Sequence, residues 1–337
     1  MDIHGGDVYR NHVDIDFSIN MNPLGTPESV KAALHKAVEM CNRYPDMEAE
    51  KLRRAVGDFL TVPEEYLLFG NGASELFMAI VHGIRPKKIV IPVPSFYGYE
   101  YAAKMVDSEI IYYEMKEENN FCMTEEIDNI LTEDVDLLFL ANPNNPVGNL
   151  ISRERLIGLL QYCESRGIYV VLDECFIEFC GKRFSMISEI EKFPHLILVR
   201  AFTKIFAIPG VRLGYLVCKS KPVLAKIARQ LPEWNLSCFA QEAGCICAKQ
   251  PEFIMKTKIL IKKEREFMEE ELGRKGFRIF PSMANFILIH SEEALYERLL
   301  EKGILIRDCS NFRGLGKGFY RVAVKRREEN EILLKNL

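Results

Sequence analysis

The chain has 337 residues, 48% hydrophobic and 27% charged, a balance expected of a soluble globular protein with one large core and a smaller second domain. A formal net charge of -4 gives no broad cationic face for nucleic acid or an anionic membrane, so an anionic small molecule must be met by local arginines. The longest apolar runs, such as 196–199, are far too short to span a bilayer. The polar first ten residues do not read as a secretory signal, and ten scattered cysteines without a C-x-x-C pair suit reduced thiols in a cytoplasm.

In chain order, residues 1–25 read as an N-terminal arm. Thr26-Pro27 then looks like the N-cap and first position of a helix that buries Val30, Leu34, Val38 and Cys41. Seven short apolar segments follow, at 66–69, 88–91, 109–114, 136–141, 168–173, 196–200 and 213–217. Runs that are apolar throughout suit strands buried on both faces, as in a mostly parallel sheet covered by helices. Helical patterns at 74–81 and 153–165 alternate with them, so 26–220 reads as a large α/β domain with ligand loops at the carboxyl ends of its strands. From 221 to 337 the character changes. A long charged helix (252–272) precedes strand-like 286–289, 304–307 and 320–324, a smaller α+β domain packed with the arm.

The chemistry-bearing residues sit at strand ends. Lys204 follows the strand 196–200 directly, between Phe202, Ile205 and Phe206. An apolar, desolvated setting favours the neutral amine that a Schiff-base lysine needs. Eight residues on, Arg212 carries a forked donor suited to a phosphate. Asp173 closes its strand, where a carboxylate is costly unless it meets a positive partner; a protonated pyridine nitrogen qualifies, as does an ordinary cap or salt bridge. Asn145, in Asn142-Pro-Asn-Asn145-Pro146-Val-Gly148, lies in a rigid turn that either aims its amide at a cofactor's phenolic oxygen or merely connects two elements. Gly72, Ala73 and Ser74 open a helix whose amides can cradle a phosphate, although Glu75 rules out a dinucleotide fingerprint. There is no P-loop and no H-E-x-x-H, and no metal site is expected.

This order of motifs resembles the fold-type I pyridoxal 5′-phosphate (PLP) enzymes, in the branch that contains histidinol-phosphate aminotransferase. Within that branch, three motifs resemble the threonine-phosphate decarboxylases of cobalamin biosynthesis. They are His4-Gly-Gly-Asp7, Asp16-Phe-Ser-Ile-Asn-Met-Asn22-Pro-Leu-Gly25 and Ile306-Arg307-Asp-Cys-Ser-Asn-Phe-Arg-Gly-Leu315, continued by Phe319-Tyr320-Arg321. The resemblance implies that Lys204 holds the cofactor covalently, Asp173 its ring nitrogen and Asn145 its phenolic oxygen. It assigns the cofactor phosphate to Gly72, Ala73, Ser74, Thr203 and Arg212, with Tyr44 reaching across from the second subunit of a homodimer. Phe96 would stack on the ring, while His4, Asn22, Arg307 and Arg321 would bind a small phosphorylated amino acid. The implied reaction is decarboxylation of O-phospho-L-threonine to (R)-1-amino-2-propanol O-2-phosphate. Histidinol-phosphate aminotransferase activity is the alternative, and a PLP-binding protein without turnover a third. Phe176 departs from the aminotransferase pattern: it stands where that pattern carries a tyrosine hydroxyl.

Overall fold

A computed structural model describes residues 5–337. Its strands are β1 (Ile15–Asp16), β2 (Leu67–Gly70), β3 (Lys88–Val93), β4 (Glu109–Glu114), β5 (Leu137–Ala141), β6 (Tyr169–Asp173) and β7 (Leu196–Ala201). They continue with β8 (Gly214–Val217), β9 (Arg278–Phe280), β10 (Phe286–His290), β11 (Ile304–Leu305), β12 (Arg307–Asp308) and β13 (Phe319–Ala323). Seven of them form one sheet in the order β2-β8-β7-β6-β5-β3-β4, parallel except for β8, which runs against both neighbours. All seven expected segments are strands of this sheet. The architecture is the expected α/β fold, a mostly parallel seven-stranded sheet with a smaller α+β unit.

The apolar runs have the cause inferred for them. Successive side chains alternate between faces, and both faces are covered. Val90, Leu138, Val170 and Leu198 enter one core, whereas Ile89, Leu137, Val171 and Ile197 enter the other. Helix Ala73–Ile84 packs on the second face. Helix Arg153–Ser165 starts at Ser152, whose hydroxyl accepts from the Arg155 amide at 3.2 Å, and buries Leu156, Leu159, Leu160 and Cys163.

One buried ion pair fixes the two central strand ends. Glu174, just past β6, accepts from Arg200 Nε at 3.0 Å and Nη2 at 2.6 Å, and its other oxygen accepts from the Met186 amide at 2.8 Å. Removing Arg200 would strand the buried Glu174 carboxylate, whereas Arg200 itself has a second carboxylate in Glu178 at 3.6 Å. The pair therefore ties the backbone beside Asp173 to the strand that delivers Lys204.

Residues 278–323 add a four-stranded antiparallel sheet, β12-β13-β10-β9. The expected strand 304–307 is split: β11 pairs with β1, while β12 turns to pair with β13. Helices Lys221–Ala228 and Cys238–Cys247, beyond the boundary expected at 220, pack on Ala73–Ile84 and on Glu28–Ala37 respectively. Helix Pro251–Arg274 packs on β9 and β10 and on the last helix, Arg327–Asn336.

The first helix corrects two expectations. Pro27 is its N-cap and Thr26 does not cap it, because the Thr26 hydroxyl donates to Ala207 O at 2.8 Å. At Val38 the helix tightens into a 3-10 turn, which changes the residues per turn from 3.6 to 3.0 and swings Val38 and Cys41 outward; both are exposed.

Candidate active site

At the carboxyl ends of the parallel strands lies a cavity of about 770 Å³, bounded on its far side by the four-stranded sheet and residues 18–20. Lys204, Asp173, Asn145, Thr203, Ala73, Ser74, Phe96, Arg212, Arg307 and Arg321 all face it. Strand topology explains the convergence. β5, β6 and β7 run side by side and end together, so the turns after them bring Asn145, Asp173 and Lys204 to one rim.

Asp173 is buried, and burial pushes its carboxyl up, against hydrogen bonds from Cys175 and Tyr99 that hold it down. Oδ2 accepts from the Tyr99 hydroxyl at 2.6 Å and Oδ1 from the Cys175 amide at 2.8 Å. No cation among the described residues offsets the buried charge. Lys204 lies in the short helix Phe202–Ile205, and its amine is lowered to about 8, by burial first and then by the nearby Arg321 and Arg212 charges.

Helix Ala73–Ile84 begins beside Lys204 with no side-chain cap. Its first amides therefore point into the cavity unpaired by side chains, with the positive end of the helix dipole behind them. Arg212 lies across this turn: a Cβ on Gly72 would sit 2.3 Å from Arg212 Nη2, and Gly72 has φ +83°. Only glycine serves at 72. Phe96 presents its ring to the cavity, packed edge-on to Tyr99 at 5.7 Å, and Gly98 leaves it room, since a Cβ there would lie 2.3 Å from the ring.

On the opposite wall, Arg307 of β12 and Arg321 of β13 are register partners, and both are buried. Arg321 Nη2 donates to Ser18 O at 2.8 Å and Nη1 donates to Asn145 Oδ1; its Nε is buried without a partner. Burial lowers Arg321 to about 10. Arg307 Nη2 donates to Asn311 Oδ1 at 2.8 Å, and the Phe312 ring lies 5.1 Å from its guanidinium. Both guanidinium groups therefore stand on one wall of the cavity, where a planar fork suits a phosphate or carboxylate.

Three expected residues lie elsewhere. His4 is outside the described residues. Asn22 does not line the cavity: its amide donates to Ile205 O and Thr257 Oγ1, both at 2.7 Å, and its backbone amide donates to Lys204 O at 3.2 Å. It braces the lysine turn from behind, while Ser18 and Asn20 occupy the cavity wall. Tyr44 is 79% exposed, 4.8 Å from the ring of Trp234 and away from this chain's own cavity. Phe176 faces the cavity with its ring 5.1 Å from Phe286, so no hydroxyl stands at that position.

Sequence reading missed Tyr99 and Cys175, the two groups that hold Asp173. Tyr99 was legible in principle, lying three residues after Phe96 in helix Tyr97–Lys104 and so returning to the same face. Cys175 acts through its backbone amide, which no residue type advertises.

The site suits PLP. Asp173 is a buried carboxylate lacking a cation, Lys204 has a softened amine, and an uncapped helix start beside Arg212 offers a phosphate cradle. The comparisons agree. The sequence profile of aminotransferase class I and II matches residues 13–337. Threonine-phosphate decarboxylase of Salmonella typhimurium is 35% identical over 95% of this chain and 89% of its own length. A bifunctional protein of adenosylcobalamin biosynthesis from Leptospira interrogans is 33% identical over 95% of this chain and 38% of its own. The solved structure of histidinol-phosphate aminotransferase from Clostridium acetobutylicum superimposes with a TM-score of 0.91 at 36% identity, over 96% of this chain and 98% of that one. The family profile spans nearly the whole chain and the cavity holds the groups its cofactor requires, so this protein belongs to the aminotransferase class I and II family and is a PLP-dependent enzyme.

Proposed function

We propose that this enzyme decarboxylates O-phospho-L-threonine to (R)-1-amino-2-propanol O-2-phosphate, a step of cobalamin biosynthesis. The observation that carries the proposal is the register pairing of Arg307 with Arg321, which sets two buried guanidinium groups on the wall facing Lys204. PLP, when bound, supplies an electron sink for a bond broken at the substrate's α-carbon. Asp173 would hold its ring nitrogen, Asn145 its phenolic oxygen, Phe96 its ring face, and the helix start with Thr203 and Arg212 its phosphate.

Which bond breaks depends on how the rest of the substrate is pinned. With both arginines holding the side-chain phosphate, the α-carboxylate is left unclamped and can stand across the ring plane, the orientation that releases CO2. Lys204 is the one lysine facing the cavity among the described residues and would return a proton to the α-carbon. With Phe176 in the tyrosine position, Asn145 would serve the phenolic oxygen alone, its amide oriented by the bond from Arg321 to Oδ1.

The Clostridium acetobutylicum likeness supports a second reading, transamination of a phosphorylated amino acid. Mixing the holoenzyme with O-phosphothreonine separates the two. Continued CO2 release with the cofactor's visible absorbance retained is expected; stoichiometric conversion to the pyridoxamine form, with no CO2, would establish transamination instead.

We also infer a homodimer. Val38, Tyr44, Met47 and Trp234 are all exposed, and they lie where the turn after helix Glu28–Ala37 meets the start of helix Cys238–Cys247. Clustered apolar side chains at a surface favour a permanent partner, and Tyr44 has no role within its own chain's cavity. Sedimentation at micromolar concentration is expected to give the dimer mass. A fully active monomer would refute the assignment.

A further inference from the structure

The turn from Cys309 to Gly318 joins the strand of Arg307 to the strand of Arg321, and it leaves its own sheet to cross the cavity mouth. Three consecutive residues divide the work. Asn311 Oδ1 accepts from Arg307 at 2.8 Å, and Phe312 places its ring under the same guanidinium. Arg313 points the other way, onto the large sheet. Its guanidinium lies 4.1 Å over the Tyr112 ring of β4 and donates to both oxygens of Glu100, at 3.3 and 3.5 Å. Gly314, with φ +85°, lets the turn lie against the backbone of Val93 and Pro94, two residues before Phe96; a Cβ there would sit 3.3 Å from Pro94 N.

Glu100 is built to receive this contact. Its side chain is only 15% exposed, on helix Tyr97–Lys104, and Lys104 also donates to it, at 2.5 Å. Burial alone would raise its carboxyl, yet the hydrogen bonds from Lys104 and Arg313 hold it below the ordinary range. The one turn thus touches the arginine on one wall, the edge of the sheet on the other, and the turn that carries the stacking ring.

We propose that residues 309–318 form a strap whose latch, Arg313 on Glu100, holds Arg307 in its substrate-binding geometry, which makes Arg313 and Glu100 positioning residues for substrate recognition. The inference rests on Arg307 being a substrate anion ligand, as argued above. A latched turn keeps Asn311 and Phe312 in place before the substrate arrives, so less ordering remains to be done on binding. An unlatched turn must be ordered by the substrate itself, which weakens binding and leaves the bond-breaking step alone. Arg313 is 49% exposed, and exposed pairs and cation–π contacts contribute modestly.

Steady-state kinetics of the holoenzyme with O-phosphothreonine test this. Arg313→Ala and Glu100→Gln are each expected to raise KM about threefold to tenfold, with kcat within about twofold. The double variant should be no worse than the worse single, because both remove one contact. Arg313→Lys, which keeps the charge but loses the fork and the stacking, should recover part of the loss. Cofactor affinity and thermal midpoint should stay at the wild-type values. Arg307→Ala is the control. If it leaves the kinetics unchanged, the substrate assignment itself is wrong. If it is crippled while Arg313→Ala and Glu100→Gln keep the wild-type KM, or lower kcat instead, the strap is refuted on its own. Additive losses in the double variant would also refute the latch.

Discussion

Lys204→Ala enzyme is expected to lose turnover by a factor on the order of a thousand or more, as removal of a covalent catalytic group does. The structure gives the reason that this lysine is singled out. It lies in a four-residue helix directly after β7, its turn braced by Asn22 at Lys204 O and by the Ile205 carbonyl. With its amine lowered to about 8, roughly a quarter is neutral at about pH 7.5, against about one in a thousand for an ordinary lysine. The sign follows from charge: burial and the Arg321 and Arg212 cations all disfavour the ammonium form, so capture of added cofactor by the apoenzyme should rise through about pH 8. Removing the Arg321 charge should move that midpoint upward. Borohydride treatment followed by intact-mass measurement checks the covalent site. Wild-type chain should gain one cofactor mass at Lys204, and the variant none; an adduct retained on another lysine would relocate the chemistry.

For Arg321→Ala, kcat/KM toward O-phosphothreonine is expected to fall about a hundredfold or more, from the roughly 2–5 kcal/mol that loss of one partner in a buried charged contact costs. The guanidinium is buried, aimed by Ser18 O and Asn145 Oδ1, and opposite Arg307, so the substrate anion would lose half its fork. Cofactor affinity should change far less, by under about tenfold, because Arg212 and the helix start serve the other phosphate and only the Asn145 anchor is lost. Equilibrium binding of PLP and kinetics with a phosphorylated and an unphosphorylated amino acid measure the two effects separately. Weakened PLP binding with normal processing of O-phosphothreonine would assign Arg321 to the cofactor and withdraw the phosphorylated substrate.

Most of the sheet was legible in the sequence because its cause is local. A strand covered on both faces must be apolar at every position, and 136–141, 168–173 and 196–200 each declare this without reference to the rest of the chain. Lys204, Asp173 and Asn145 were legible for the same reason: each is a polar group placed at the end of such a run, where burial is unaffordable without a purpose. What the sequence left undetermined is everything set by register and long-range contact. Arg307 and Arg321 are 14 positions apart, and only the antiparallel pairing of β12 with β13 makes them opposite neighbours. The segment 304–307 reads as one strand, but Ile304–Leu305 pairs with the arm and Arg307 with β13, since two sheets compete for its backbone hydrogen bonds. Asn22 has the composition of a binding residue and became a brace because its amide reaches Ile205 and Thr257 first. Tyr99 and the Cys175 amide hold Asp173 through contacts that depend on helix phase and backbone direction. Residue type reports what a side chain costs to bury, and that cost is a local quantity; which partner repays it is fixed only when distant segments are brought together.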